Sequence, residues 1–150
     1  MENDYMTIDE IFEHWSKDCK IDETELGKES AKTAYIHNKY LKLYVAERRL
    51  LTQYIQMQKK LFLQIRDYYL GYCDQTMLKT MDRKPFLKTV LKTEVNLYID
   101  ADDDMIRANI KMANQKDKVE CLEKIIKRIE GRQFELNTQV NWNKFINGQG

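Results

Sequence analysis

A proline-free run from Asp22 to Gly71 constrains the fold of this chain more than any other feature. Within it, apolar and aromatic residues recur in alternating steps of three and four, the spacing that places side chains on one stripe of a helix. A helix over about 26–70 would be roughly 67 Å long, so it must lie against another helix or another protomer. Gly71 can adopt a left-handed conformation and is predicted to end it. The stripe consists of Ala34, His37, Leu41, Tyr44, Arg48, Leu51, Ile55, Gln58, Phe62, Ile65 and Tyr69.

A second pattern of the same kind begins after Asp102, whose side chain is predicted to cap the helix. Gly131 lies inside this pattern and is predicted to bend or interrupt the helix, because glycine weakens a helix interior by about 1 kcal/mol. The stripe consists of Met105, Ala108, Met112, Gln115, Val119, Leu122, Ile126, Ile129, Gln133, Leu136, Val140 and Asn143.

The two apolar stripes can be covered in two ways. The helices could pair antiparallel within one chain, or the C-terminal helix could pair with other copies of itself. We expect homo-oligomerisation into a bundle or ring, because two long stripes offer more apolar surface than one small protomer pairs with itself. The residues predicted for this interface are Val119, Leu122, Ile126, Ile129, Leu136 and Val140.

The remaining segments complete an all-α prediction. Thr7 and Glu10 have the spacing of a capping box, which predicts a short amphipathic helix at about 8–18. From residue 72 to about 99 the helical period is lost, Pro85 bars a continuous helix, and Val95, Leu97 and Ile99 alternate as in a short strand. We therefore predict a single domain, 1–150, with an acidic helical segment at 1–20, a long basic and aromatic helix at 22–71, an irregular basic connector at 72–100 and a C-terminal helix at 102–147.

Charge is strongly segregated along the chain. Residues 1–30 hold 3 basic and 10 acidic side chains, whereas residues 31–92 hold 13 basic and 4 acidic ones. A basic middle segment predicts a polyanionic partner, unless the lysines are only solvating long helices. No apolar run approaches the ~20 residues of a membrane span, so no membrane partner is expected. The three isolated cysteines fit reduced thiols, and the acidic N-terminus resembles neither a secretory signal nor a transit peptide.

The sequence offers no constellation that could perform catalysis or hold a metal or cofactor. His14 and His37 are far apart, and neither a zinc-type spacing nor a glycine-rich phosphate loop occurs. A calcium loop starting at Asp100 fails because its sixth and twelfth positions hold Met105 and Lys111. We predict a protein that is not an enzyme.

The basic middle segment instead predicts binding of single-stranded nucleic acid. It holds seven of the nine tyrosines, and cations that follow a backbone together with rings that stack on bases are what such binding needs. Ile65 and Tyr69 follow the apolar stripe and are predicted to pack, while their neighbours Arg66, Tyr68 and Tyr72 fall off it. The residues predicted to contact the single strand are Lys59, Lys60, Arg66, Tyr68, Tyr72, Lys79, Arg83, Lys84 and Lys88. The alternative is a structural coiled-coil adaptor without nucleic-acid affinity.

Three stretches of the sequence carry a resemblance to a known family. They are "RDYYLG" at Arg66–Gly71, "LKTEVNLYIDADDDMIRANIKM" at Leu91–Met112 and "CLEKIIKRIEGRQFELNTQVNWNKFINGQ" at Cys121–Gln149. In these stretches the chain resembles the UvsY family of phage recombination mediators. The family's basic Lys-x-Arg motif falls on residues 64–66, where Arg66 keeps the cation and Gln64 replaces the lysine.

The resemblance implies a helical protein without catalytic activity that binds single-stranded DNA and forms a ring of about six or seven protomers through its C-terminal helix. It also implies two protein partners, a RecA-like phage recombinase and the phage single-strand-binding protein that the recombinase replaces on DNA. The implied location is the cytoplasm of the infected bacterial host.

Overall fold

The structure is a computed structural model that describes residues 5–148, and in this range it contains helices and no strands. The all-α prediction is therefore confirmed. The helices are α1 (Ile8–Asp18), α2 (Leu26–Tyr69), α3 (Gln75–Met81), α4 (Val95–Asp100), α5 (Asp103–Glu130) and α6 (Arg132–Ile146). None of the helices in this part of the chain is long and apolar enough to cross a membrane.

The predicted ends of α1 and α2 are confirmed by their local hydrogen bonds. At the start of α1, the Thr7 hydroxyl accepts from the Glu10 amide, and the Glu10 carboxylate accepts from the Thr7 amide. At the end of α2, Gly71 has a φ of 77°. The amides of Gly71 and Tyr72 donate to the carbonyls of Tyr68 and Asp67, the two bonds of a Schellman motif.

The described residues cluster into two compact units. Unit 1 comprises the residues up to Arg49 and those from Lys116 onward, and unit 2 comprises Leu50–Gln115. Both α2 and α5 contribute residues to each unit.

In unit 1, α2 pairs antiparallel with α5 and α6 through apolar residues, one buried ion pair and one partly buried ion pair. Glu29 contacts Arg132 and Glu47 contacts Lys118, so residues early in α2 meet residues late in the chain. The apolar core consists of Ile11, Ile36, Tyr40, Leu122, Ile125 and Ile129. The intramolecular alternative for covering the two stripes is thus realised in this unit.

The buried face of α2 in unit 1 differs from the predicted one. Tyr40 is fully buried, whereas the predicted Leu41 is 40% exposed, and Ile36 is buried while Ala34 is exposed. The buried row includes Glu29 and Glu47, which lie there because Arg132 and Lys118 neutralise them. Apolar spacing alone does not identify such charged positions on a buried helix face.

The connector between the long helices is more ordered than predicted. Asp74 caps α3 by accepting from the Met77 amide, and the chain then runs irregularly to α4. The alternating pattern of Val95, Leu97 and Ile99 does not form a strand, because these residues lie in α4. Val95 and Ile99, four residues apart, are buried together, whereas Leu97 between them is 71% exposed. A helical period therefore explains the burial where an alternating one was predicted.

The core of unit 2 forms where α2, the connector and the start of α5 meet. It consists of Ile65, Val90, Val95, Ile99 and Met105, with Tyr69, Phe86 and Tyr98 packed against it. Asp102 caps α5 as predicted, since its carboxylate accepts from the amides of Asp104 and Met105. The predicted interruption at Gly131 is also confirmed, because α5 ends at the preceding residue and α6 begins at the following one.

Candidate nucleic-acid interface

The second half of α2 is rich in cations, and its one carboxylate is that of Asp67, next to Arg66. Residues 50–66 contain Lys59, Lys60 and Arg66 and no aspartate or glutamate. Lys59 and Arg66 are seven residues apart and so share one face of the helix, while Lys60 lies on the adjacent face. Both lysines are exposed and Arg66 is half-buried. Around Lys59 and Lys60, this part of α2 can therefore attract an anion without a competing carboxylate nearby in the sequence.

The facing part of α5 has the same character, and the sequence-based prediction missed it. Residues 105–115 hold Lys111 and Arg107 and no acidic residue, although Arg107 is paired with Asp104 just before this segment. The Lys111 ammonium lies 4.6 Å from the ring centroid of Tyr54 on α2, and Asn109 is hydrogen-bonded to Gln58. The signal available in the sequence was the stretch without carboxylates, but only the fold shows that it lies beside α2.

A groove runs between these two helices within unit 2. It has a volume of about 380 Å³ and is lined by Tyr54, Met57, Gln58, Lys60, Leu61, Gln64, Ala108 and Lys111. Its walls are mostly apolar, and the charged groups that line it are two lysines. We name it the α2–α5 groove.

Arg83, predicted to contact DNA, is held inside unit 2 by carboxylates. Its two terminal nitrogens donate to the two oxygens of Asp102 at 2.7 and 2.8 Å, and one also donates to Asp104 at 2.6 Å. Its side chain is only 14% exposed. These hydrogen bonds raise the pKa of Arg83 further above its ordinary value, so it remains charged and paired. The contacts give Arg83 a structural role, tying the connector to the start of α5.

Asp102 is the centre of this network. Burial alone would raise the pKa of its carboxyl group, but the hydrogen bonds from Arg83, Tyr69 and the Met105 amide outweigh burial and lower it to about 2. In turn, burial and the bond to Asp102 raise the pKa of Tyr69 to about 12. The network is thus ionised at Asp102 and neutral at Tyr69 over the physiological range.

The two tyrosines predicted to stack on bases have different environments. Tyr68 packs against Tyr69 and Phe86, lies beneath the Arg83 guanidinium at 4.8 Å, and donates its hydroxyl to the Lys84 carbonyl. Tyr72 follows the helix end and is 57% exposed. Tyr72 is therefore accessible to a base, whereas Tyr68 is occupied in holding the connector.

The other predicted cations lie on the surface of the connector. Lys79 is on α3, and Lys84 and Lys88 follow it, all three exposed. The structure joins Tyr68, Arg83 and Lys84 by direct contacts and places Lys60 beside Lys111 on the groove. Among residues 5–148 no group of histidine, cysteine and carboxylate side chains could hold a metal ion.

Fold and surface together define a small all-helical protein with a carboxylate-free basic groove on its second unit. The chain belongs to the UvsY family: the family described as "Recombination, repair and ssDNA binding protein UvsY" matches residues 14–149. The resemblance noted in the sequence is thereby confirmed. Among curated proteins no match was found.

Solved structures similar to this one are crystal structures of the recombination mediator protein UvsY of bacteriophage T4. The lattice type II structure has a TM-score of 0.81 at 20% identity and covers 94% of this chain and 98% of that chain. The lattice type IV structure has a TM-score of 0.82 at 18% identity and covers 93% and 99%, respectively. At these identities the similarity shows a common fold.

Proposed function

We propose that the protein is a phage recombination mediator that binds single-stranded DNA as a homo-oligomer. In this role it promotes loading of a RecA-like recombinase in place of the single-strand-binding protein, without catalysing a reaction itself. Its place of action is the cytoplasm of the infected bacterial host. Membership of the UvsY family over most of the chain is the observation that carries this proposal, and the basic α2–α5 groove supports it.

The DNA contacts that we propose are the exposed cations of unit 2 and one exposed ring. Lysine and arginine neutralise phosphates and release counterions, and an exposed tyrosine stacks on a base. Arg83 and Tyr68 are assigned instead to holding the connector in place, because their polar groups are already bound within unit 2. The proposed contacts are Lys59, Lys60, Arg66, Tyr72, Lys79, Lys84, Lys88 and, from α5, Lys111.

The double variant Lys59→Gln with Lys60→Gln tests the DNA contacts. We expect weaker binding to a labelled oligothymidine and a salt dependence whose logarithmic slope falls by about 1.4, roughly 0.7 per lost phosphate contact on a single strand. Fluorescence anisotropy over a series of salt concentrations measures both quantities.

The control is Lys124→Gln with Lys127→Gln, two exposed lysines three residues apart on the unit 1 part of α5. An equal loss in the control would show only a dependence on total charge. If the wild-type protein does not bind the oligonucleotide at low salt, the mediator proposal fails and the structural adaptor is favoured.

For the oligomer interface we propose the outer face of α6 in place of the predicted stripe. Val119, Leu122, Ile129 and Leu136 are buried within the protomer, so they cannot contact another copy without opening it. Ile126 and Val140 are half-buried.

The outer face of α6 instead carries exposed aromatic rings. Phe134 and Phe145 are 77% and 71% exposed and lie eleven residues apart on one helix face, and Trp142 stacks on Phe145. An exposed aromatic patch of this kind marks an interaction surface, here the one that would close a ring of about six or seven protomers.

The double variant Phe134→Asp with Phe145→Asp tests this interface. We expect smaller species in solution, because two charges would have to be desolvated in the contact. Mass measurement by light scattering detects the change. The control is Leu87→Asp with Leu97→Asp, two exposed leucines of unit 2, which should leave the mass unaltered. An undiminished mass in the α6 variant would refute the proposed interface.

A further inference from the structure

The α2–α5 groove has features that simple phosphate binding does not require. Met57 and Leu61 on α2 and Ala108 on α5 supply apolar walls, and Tyr54 closes one side. Met57 is 61% exposed, so its apolar side chain is accessible to an occupant of the groove. A surface that only follows a phosphate backbone would need cations and no such apolar pocket.

The rim of the groove carries positive charge alone. Lys60 and Lys111 line it, and neither flanking segment, 50–66 or 105–115, contains a carboxylate. The occupant that complements this arrangement has an apolar group joined to anions on either side. An acidic peptide with an apolar side chain and a single-stranded nucleic acid both meet that description.

The apolar walls of the groove and the cations around it favour the nucleic acid over the acidic peptide. Lys59 and Arg66, the latter followed by Asp67, lie on the face of α2 next to Lys60, so cations continue past the groove where a phosphate chain could follow them. The methionine thioether also interacts favourably with aromatic rings. Tyr54 is covered by the Lys111 ammonium, so the walls that remain for a base are Met57, Leu61 and Ala108.

We propose that the α2–α5 groove is a subsite for one unstacked nucleobase, with the adjoining phosphates held by Lys60 and Lys111. The inference rests on the proposed function and adds how single strands are selected. A base in a duplex must be unpaired and unstacked before it can enter the groove. This costs free energy, whereas a base in a single strand is already unpaired. The groove would thus discriminate against duplex DNA without reading a sequence.

The test compares a 15-residue oligothymidine with a strand of equal length whose central nucleotides are abasic. The two ligands carry the same phosphates, so their affinity ratio isolates the contribution of the bases. We expect the wild-type protein to bind the oligothymidine roughly tenfold more tightly, because its bases can bury their faces against the apolar walls of the groove.

Ala108→Phe fills the groove and is the decisive variant. It should lower the affinity ratio about threefold or more, while affinity for the abasic strand and its salt dependence stay unchanged. The matched control is Ala113→Phe, the same substitution at an exposed position of the same helix, which should keep the wild-type ratio. Met57→Ala should also lower the affinity ratio. Because Met57 is exposed, this variant replaces Ala108→Phe in the test if Ala108→Phe has a reduced melting temperature.

The outcomes separate the subsite from the proposed function. A wild-type ratio near one, or a ratio preserved in both groove variants, overturns the base subsite while binding to the abasic strand still supports DNA binding. If groove variants bind both strands normally but lose binding of an aspartate-rich peptide with a central leucine, the peptide reading is correct and ours is wrong. If the wild-type protein binds neither strand, both proposals fall.

Discussion

Replacing Glu29 by leucine is expected to lower the free energy of unfolding by about 3–5 kcal/mol, because it leaves the Arg132 guanidinium buried without its counter-charge. The side chains of Glu29 and Arg132 are only 3% and 7% exposed. Burial would raise the pKa of Glu29, but hydrogen bonds from Lys32 and Arg132 outweigh it and keep the pKa below its ordinary value. The carboxylate is therefore charged in the folded state, and its removal leaves the desolvation free energy of the buried guanidinium uncompensated. Urea denaturation followed by circular dichroism measures the effect.

Two further variants make this prediction specific. Glu29→Leu combined with Arg132→Met should recover most of the loss, since replacing both members of a buried pair by apolar groups is close to neutral. Glu25→Leu removes an exposed pair with Lys28 and should change stability by no more than about 0.5 kcal/mol. If the double variant is as unstable as Glu29→Leu, the cost arises from helix α2 itself rather than from the unpaired guanidinium.

Asp102→Asn is expected to destabilise the protein by about 2–3 kcal/mol at neutral pH, because it weakens the bidentate partner of Arg83, whose side chain is only 14% exposed. The effect should depend on pH. The pKa of Asp102 is lowered from 3.8 to about 2, so the folded state binds the proton less tightly than the unfolded state does. The stabilisation is thus fully present above pH 4 and is lost as the pH falls through 2. Unfolding curves at several pH values should show a flatter acid limb in Asp102→Asn.

The same variant distinguishes a structural Arg83 from a DNA-contacting one. If Arg83 contacts phosphate, removing the Asp102 charge frees the guanidinium and should strengthen DNA binding. If Arg83 positions the connector, the loosened connector lysines should bind DNA more weakly even though one negative charge has gone. We expect the second result, and tighter binding of oligothymidine by Asp102→Asn would contradict the role we assign to Arg83. Measurement well below the melting temperature separates this effect from unfolding.

The helix ends were predictable because their causes are local. The Thr7–Glu10 box, the left-handed Gly71 and the Asp102 cap all act within a few residues, so the sequence contains both partners of each contact. The face of α2 that is buried in unit 1 was not predictable in the same way. Glu29 is buried because it pairs with Arg132, a residue 103 positions away. No residue near Glu29 in the sequence indicates that partner.

In the candidate site, too, the features that depend on local sequence were predictable and those that depend on distant residues were not. The basic and aromatic composition predicted a nucleic-acid surface, and the exposed positions of Lys59, Lys60 and Tyr72 agree with that role. The groove itself depends on the packing of α2 against α5, which are separated by more than thirty residues of connector. For the same reason Arg83 could not be told from the free lysines around it, since its partner Asp102 was expected only to cap a helix.

The position of Asp102 has a consequence for how unit 2 opens. One carboxylate binds the connector through Arg83, the end of α2 through Tyr69, and the first amides of α5. Fraying of the α5 start and release of the connector therefore break the same bonds, and these segments should open as one cooperative unit. In native-state hydrogen exchange, the amides of Asp104 and Met105 should share an opening free energy with the connector amides rather than exchange as a frayed helix end.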